Sequence, residues 1–179
     1  MIGAKKIFVF DRDYEIIELL GKGKGGYSYL AEADGVQVVL KQIHHEPCGY
    51  YTFGNKIEAE RHDYKRLCDA GIRIPKMLAI DMKAERIIKE YIDGPTVMEL
   101  GLRGEITENM IEQVREMAEL AKAQGLNIDY YPTNFVLQDG LLYYIDYECN
   151  TYDDKWSFDL WGKQYWCNQT DSDESPNNS

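Results

Sequence analysis

Residues 16–41 run Ile16-Ile17-Glu18-Leu19-Leu20-Gly21-Lys22-Gly23-Lys24-Gly25-Gly26-Tyr27-Ser28-Tyr29-Leu30-Ala31-Glu32-Ala33-Asp34-Gly35-Val36-Gln37-Val38-Val39-Leu40-Lys41. Branched and aromatic residues fill three short segments, Ile16–Leu20, Tyr27–Ala33 and Val36 onward to Ile43, and these read as strands. Asp34-Gly35 is a strong two-residue hairpin signal, because both positions tolerate the positive φ angles that match the twist of the flanking strands. The other break, Gly21 to Gly26, has the spacing G-x-G-x-x-G. Glycines there let backbone N–H groups approach a phosphate. In a dinucleotide-binding fold that spacing opens a helix. Here a strand, a turn and another strand follow, so the dinucleotide reading fails on context.

Around this stretch the chain has 179 residues, with 31 acidic against 20 basic side chains and a formal charge of −11. That length suits one domain, or one domain in two lobes, with a core large enough to need no metal or disulfide. The acidic balance offers no cationic footprint for a nucleic-acid backbone or an anionic membrane, so neither is an expected direct partner. Ile7-Phe8-Val9-Phe10 is too short for the apolar core of a signal peptide, and no apolar run reaches membrane-spanning length. Cys48, Cys68, Cys149 and Cys167 form no C-x-x-C pair, which points to a reduced, cytoplasmic protein. His44-His45-x-x-Cys48 lacks the four ligands a structural metal site needs.

After a linker around Pro47 and Gly49, a helix is expected from Lys56 to Ala70, closed by Gly71, with Ile57, Tyr64, Leu67 and Cys68 on its apolar stripe. Glu60 falls on that stripe, three after Ile57 and four before Tyr64, whereas Glu58 lies about 200° away around the axis. A carboxylate on the inner face needs a partner. Strands are expected at Met77–Ile80 and Arg86–Ile92, then a turn at Asp93-Gly94-Pro95. Thr107 is placed to cap a helix carrying Met110, Ile111, Val114, Met117, Ala118 and Ala121, which Gly125 ends. Phe135-Val136-Leu137 and Leu141 to Ile145, joined by Gln138-Asp139-Gly140, read as a second hairpin. The stretch with Trp156, Leu160, Trp161 and Tyr165 is compatible with a last helix, and residues 168–179 read as a disordered acidic tail.

Asp129-Tyr130-Tyr131-Pro132-Thr133-Asn134 has the spacing D-x-x-x-x-N, and Ile145-Asp146-Tyr147-Glu148 follows the second hairpin. Taken singly, each of these features has an ordinary explanation as a turn, a cap or a solvated charge. Their order is another matter. A glycine-rich loop between antiparallel strands, a lysine on the third strand, a helical glutamate, D-x-x-x-x-N with a proline inside it, and a later aspartate resemble the protein-kinase-like superfamily from about Glu15 to Trp166. Ile145-Asp146-Tyr147-Glu148 is closer to the I-D-x-E/D of small-molecule and atypical bacterial kinases, including aminoglycoside and choline phosphotransferases, than to D-F-G. The ending resembles small kinase-like proteins of Gram-positive bacteria described as serine/threonine kinases.

The resemblance implies an α+β, bilobal fold. Residues 1–92 would form an N-lobe with an antiparallel β-sheet and one helix, and residues 93–167 a truncated, mainly helical C-lobe. It also implies ATP and Mg²⁺ as cofactors. Asp129 would orient or deprotonate an acceptor hydroxyl, Asn134 and Asp146 would hold Mg²⁺, and Glu148 would be a further ligand. Lys41, held by Glu60, would contact the phosphates under the loop containing Gly21, Lys22, Gly23 and Gly26. Glu90-Tyr91-Ile92 would be the hinge whose backbone, at Glu90 and Ile92, pairs with adenine. There are departures. Asn127-Ile128 replaces His-Arg before Asp129, Tyr131 stands where a lysine is usual, and Lys89 where an apolar gatekeeper is usual. Ser28 and Gly25 replace a valine and a loop-tip aromatic, and nine residues between Asp146 and Trp156 leave no room for an activation segment.

Two uses follow. One is a phosphotransferase acting on a hydroxyl of a protein or small molecule. The other is a pseudokinase, binding a nucleotide or a protein partner without phosphotransfer. The 14 tyrosines against 5 phenylalanines are expected to pack half-buried with hydroxyls outward, and Tyr130, Tyr131, Tyr143, Tyr144 and Tyr147 are candidates to line an acceptor pocket.

Overall fold

The computed structural model describes residues 6–46 and 54–168. Cys48, the Pro47-Gly49 linker and residues 169–179 of the expected tail lie outside the described residues. The chain divides into two compact units, one of Met1–Asp69 with Ile74–Ile92 and one of Ala70–Arg73 with Asp93–Ser179.

In the first unit, six strands form one antiparallel sheet. They are β1 (Lys6–Val9), β2 (Arg12–Lys22), β3 (Gly26–Ala33), β4 (Val36–Ile43), β5 (Met77–Asp81) and β6 (Arg86–Glu90). Their spatial order is β1-β2-β3-β4-β6-β5. Asp34 and Gly35 take φ of 53° and 76°, the turn the sequence predicts between β3 and β4. Alternation sends Tyr14, Ala31, Ala33, Val38, Leu40 and Ile88 into one core with Val9.

β1 was not predicted from its letters. Ile7-Phe8-Val9 reads as a short apolar run, and its turn, Phe10-Asp11, puts the bulky Phe10 at φ 55° where a glycine or asparagine would announce a hairpin. Pairing of Ile7 with Tyr14 and Val9 with Arg12 makes it a strand. Helix α1 (Lys56–Asp69) buries Ile57 and Leu67 as its periodicity predicts, while Cys68 lies exposed at the stripe's edge. Asn55 caps α1, its Oδ1 accepting from Glu58 N at 3.2 Å.

The second unit contains α2 (Val97–Leu102), α3 (Glu108–Ala123), β7 (Leu126–Ile128), β8 (Phe135–Gln138), β9 (Leu141–Tyr144) and β10 (Cys149–Thr151). Thr107 caps α3, and Met110, Val114, Met117 and Ala121 are buried as the 3.6-residue period requires. β8 pairs with β9 across Asp139-Gly140, and β7 pairs with β10. Helix α2 begins with a capping box in which Thr96 and Glu99 satisfy each other's end of the backbone. Those backbone and hydroxyl bonds hold the Glu99 carboxyl below its usual range.

The expected last helix is not formed. Residues 152–166 instead make two 3₁₀ turns, Asp154–Trp156 and Gly162–Tyr165. Aromatic residues are modest helix formers, and here two of them have a better use. Phe158 and Trp166 pack edge-on to each other at 5.6 Å between centroids, Trp166 packs on Phe135 at 5.0 Å, and Phe158 on Tyr130 at 5.6 Å. The Trp166 indole N–H donates to the Tyr130 carbonyl at 2.7 Å. Gly162 lies so close to Tyr130 that a Cβ there would come within 2.6 Å of its side chain.

Candidate functional site

In the first unit, β4 ends its run of buried residues, Val38, Val39 and Leu40, with Lys41, and α1 supplies Glu60 on its inner face. Lys41 Nζ and Glu60 Oε1 are 2.5 Å apart, each side chain 14% exposed. The second carboxylate oxygen, Glu60 Oε2, is buried with no hydrogen-bond partner among the described residues. Desolvating a carboxylate without filling both oxygens costs free energy, so the lysine is what keeps Glu60 in place.

The glycine-rich turn joins β2 and β3, and its glycines are not equivalent. A Cβ on Gly26 would lie 2.4 Å from the Gln42 carbonyl oxygen, so close sheet packing already requires glycine there. Gly21 and Gly23 have nothing within 4 Å of a built Cβ. No packing contact demands glycine at those two positions, which leaves them to whatever approaches the turn.

Lys22 pairs with Glu46 at 2.6 Å, and Tyr27 Oη donates to the other oxygen of the same carboxylate at 2.5 Å. The Lys22 ammonium, followed by the Tyr27 hydroxyl, draws the Glu46 carboxyl down to about 2. Glu46 in turn, with Tyr27 second, holds Lys22 above the usual lysine range. At the end of β6, Glu90 exchanges bonds with Lys76. Its N–H donates to the Lys76 carbonyl at 2.9 Å, and its Oε2 accepts from Lys76 N at 3.2 Å. Ile92 is buried. Lys89 is 7% exposed and sits opposite Val39 of β4, so it is a buried cation in the sheet.

In the second unit, residues 129–134 form a tight loop. Asp129 Oδ1 accepts from Tyr131 N at 3.1 Å, and Pro132–Asn134 is a 3₁₀ turn with proline at its start. The Asn134 amide donates to the Asp129 carbonyl at 3.4 Å. Beyond the β8–β9 pair, Ile145 N donates to the Asn134 carbonyl at 2.9 Å, so the hairpin register brings Asn134 and Asp146 to one end of the hairpin. Asp146 Oδ1 accepts from Tyr147 N at 2.8 Å. Glu148 is exposed.

Tyr144, one of the tyrosines expected to line an acceptor pocket, instead ties these pieces together. Its hydroxyl accepts from Asp129 N at 3.3 Å and donates to the Glu148 carbonyl at 2.8 Å. Burial first, and the nearby Asp146 carboxylate second, hold its phenol well above the usual range. Tyr144 alternates inward on β9, the signal in the sequence for a buried bridging role rather than a pocket-lining one.

The expectation that these tyrosines pack half-buried with hydroxyls outward is corrected for three of the five named. Tyr130, Tyr144 and Tyr147 are among the largest fully buried side chains. Burial pushes the Tyr130 phenol up to about 12. Tyr131 is exposed, and Tyr143 lies under Arg73, 5.9 Å from its ring centroid.

No protein-family profile matches the chain. Among curated proteins it is 28% identical over 93 residues to the KEOPS complex subunit Bud32 of Pyrococcus abyssi, a match covering 50% of this chain and 42% of that one. Among solved structures it resembles the BubR1 kinase domain with a TM-score of 0.60 at 16% identity, over 85% of this chain and 52% of that one. The fold is protein-kinase-like. The chain spans about half the length, or less, of these two proteins.

Within that fold the first unit carries the lobe of curled antiparallel sheet and the second a small lobe with the longest helix, α3. Asn127, which departs from the usual kinase residue, has a clear role in the small lobe. Buried in β7, it accepts from Asp153 N at 2.6 Å and donates to the Trp156 carbonyl at 3.3 Å, anchoring the segment after β10. His44 and His45 are engaged as well, His44 with the Gly23 carbonyl and Glu46 N, and His45 with Glu85. Among the described residues no group of three or more His, Cys, Asp and Glu could hold a metal by itself, and no helix is long and apolar enough to cross a membrane.

Replacing Tyr144 by phenylalanine leaves Asp129 N–H and the Glu148 carbonyl without their partner. A loss of about 1–3 kcal/mol is expected by denaturant titration, the cost of orphaned buried polar groups. Its pH signature has a definite sign. Buried Tyr130 and Tyr144 ionise later than an unfolded tyrosine does at 10.0, so their contribution to stability is fully present below pH 10 and is lost as pH rises from 10 toward 12. Tyr144→Phe should make that alkaline fall shallower, and an unchanged slope would overturn the assignment.

Proposed function

We propose that this chain binds Mg-ATP and transfers its γ-phosphoryl group to a hydroxyl of a protein or small molecule. The observation that carries the reading is the Lys41–Glu60 ion pair at 2.5 Å, an inward lysine and glutamate from β4 and α1 matched as a phosphate-binding lysine requires.

The residues of the small lobe fit a hard cation. With its amide nitrogen directed at the Asp129 carbonyl, Asn134 keeps its Oδ1 for another partner, and Asp146 and Glu148 follow from the same end of the hairpin. Oxygen donors in this number suit Mg²⁺, which takes one or two carboxylates and completes its shell with water and phosphate oxygens. Bound Mg²⁺ would neutralise charge on the nucleotide phosphates. Lys41 would hold the α and β phosphates, and the N–H groups of Lys24 and Gly25 in the glycine-rich turn would cover them. Glu90 and Ile92 would supply the backbone that adenine pairs with. Asp129 would orient the acceptor hydroxyl and take its proton as the new oxygen–phosphorus bond forms and the bond between the γ phosphorus and the β–γ bridging oxygen breaks. Positioning and charge neutralisation supply the catalysis, with no protein nucleophile.

A second reading, a module that binds nucleotide or a protein partner without turnover, is favoured by exposed Tyr131, which stands where a lysine near the γ-phosphate is usual, and by the short link from Asp146 to Trp156. The similar protein Bud32 is a complex subunit, which supports a protein partner in either reading. Calorimetric titration with Mg-ATP, followed by an assay of phosphate release and transfer, separates them. Binding with turnover is expected. Tight binding without turnover selects the module, and no binding removes both nucleotide readings.

A further inference from the structure

Lys56, the first residue of α1, is a buried cation that the kinase-type machinery does not use. It is 6% exposed. Its position is unfavourable on two counts, since a buried ammonium loses its hydration and the N-terminal end of a helix is already electropositive. It is retained by two backbone carbonyls. Lys56 Nζ donates to the Lys24 carbonyl in the glycine-rich turn at 3.1 Å and to the His44 carbonyl after β4 at 2.6 Å.

The neighbouring peptides of the turn are anchored in the same way. His44 Nε2 lies 3.1 Å from the Gly23 carbonyl, while its Nδ1 accepts from Glu46 N at 3.2 Å, so Nε2 carries the proton and donates. His44 N donates to the Gly25 carbonyl at 3.4 Å. Three successive carbonyls of the turn, at residues 23, 24 and 25, are therefore held by α1 and by the residue that follows β4.

A trans peptide directs its C=O and N–H to opposite sides. With the carbonyls of Gly23 and Lys24 drawn to His44 and Lys56, the N–H groups of Lys24 and Gly25 are turned away from those anchors. Two adjacent N–H groups turned outward are the elements of an anion-binding nest. The turn also lies directly on the ion pair, because a Cβ built on Gly25 would be 3.3 Å from Glu60 Oε1 and 3.6 Å from Lys41 Nζ. Lys56 and Glu60 are four residues apart on one face of α1, so the helix placement that pairs Glu60 with Lys41 also holds the turn at Lys24.

We propose that Lys56, assisted by His44, is a positioning residue that sets the peptide planes of the glycine-rich turn so that the N–H groups of Lys24 and Gly25 face the nucleotide phosphates. The phosphate part of this assignment rests on the Mg-ATP reading above; the anchoring of the turn does not. The test uses the full chain and K56M, with H44A as the second variant because its half-buried side chain is not needed for the core.

Without nucleotide, trypsin cleavage after Lys24 should accelerate about tenfold in K56M, as expected when a turn is freed to open locally, while cleavage after Lys83 in the β5–β6 turn stays unchanged. In calorimetry the Kd for Mg-ATP should rise about tenfold and that for adenosine less than about twofold, because adenosine has no phosphate to lose contact. H44A should show both effects in weaker form, and decides the matter if K56M does not fold. Equal acceleration at Lys24 and Lys83, or no acceleration at Lys24, overturns the anchoring. Equal losses for ATP and adenosine overturn the orienting role. Wild-type chain that binds no nucleotide overturns the phosphate part together with the Mg-ATP reading, and the trypsin comparison still decides the anchoring.

Discussion

Asp146→Ala is expected to lower Mg²⁺-dependent phosphate transfer by about 10²–10³-fold or more, the loss that follows removal of one preorganised group facing developing charge. The carboxylate stands one residue beyond the Ile145–Asn134 hydrogen bond, at the end of the β8–β9 hairpin where Asn134 also lies. Its removal takes away the proposed cation ligand without touching the hairpin register. The fold should survive, since the buried neighbours Tyr144 and Tyr147 are held by packing, and losing the nearby charge lets the Tyr144 phenol ionise more readily. The checks are γ-phosphate release and transfer with Mg-ATP, beside a circular-dichroism spectrum matching that of the unaltered chain. A variant that folds and turns over at the unaltered rate would remove Asp146 from the proposed Mg²⁺ site.

Gly94→Ala should be the most damaging single methyl in the small lobe. A Cβ on Gly94 would sit 2.0 Å from the Leu137 carbonyl oxygen, and 3.4 Å from Val136 Cγ1. The first of these is backbone, which cannot swing aside. The segment has nowhere to go. Asp93 N donates to Gln138 Oε1 at 2.7 Å, Leu137 N donates to the Pro95 carbonyl at 3.0 Å, and Thr96 bridges Val136. Relief means breaking the attachment of residues 93–96 to β8, so a destabilisation of about 3 kcal/mol or more is expected, at the upper end for overpacking. For a chain of this size that lowers Tm by about 6–12 °C in a thermal melt. Gly23→Ala is the control. It has open space around it, and a surface change of this kind should stay within about 0.5 kcal/mol. Equal melting temperatures for the two variants would contradict the contact geometry.

Both sites also show which features a sequence can carry. The glycine spacing from Gly21 to Gly26 reads as one motif, yet a Cβ on Gly26 would meet the Gln42 carbonyl and one on Gly23 would meet nothing among the described residues. The letters are the same, and only the distances separate a glycine required by packing from one with open space around it. Glu60 is the opposite case. Its helical phase alone places it inward, and the need of a buried carboxylate for a partner points to a cation such as Lys41 before any distance is known.

What the sequence by itself determined is therefore local and periodic. It includes the β3–β4 hairpin at Asp34-Gly35, the inward face of α1, the Thr107 cap of α3, the β8–β9 hairpin, and the ordered set Lys41, Glu60, Asp129, Asn134 and Asp146. Each rests on dihedral preference or on side-chain period within a few residues, which the chain carries wherever it is placed. The tertiary structure decided the rest. It made a strand of Lys6–Val9 and of the three-residue pair β7 and β10, and it unmade the last helix in favour of Phe158 and Trp166 packing. It also spent Tyr144 on Asp129 and Glu148, and Lys56 on Lys24 and His44. Most of these depend on a partner 10 to 40 residues away, and all depend on how a buried polar group or a large ring is satisfied once the chain has closed around it, a matter on which local propensity is silent.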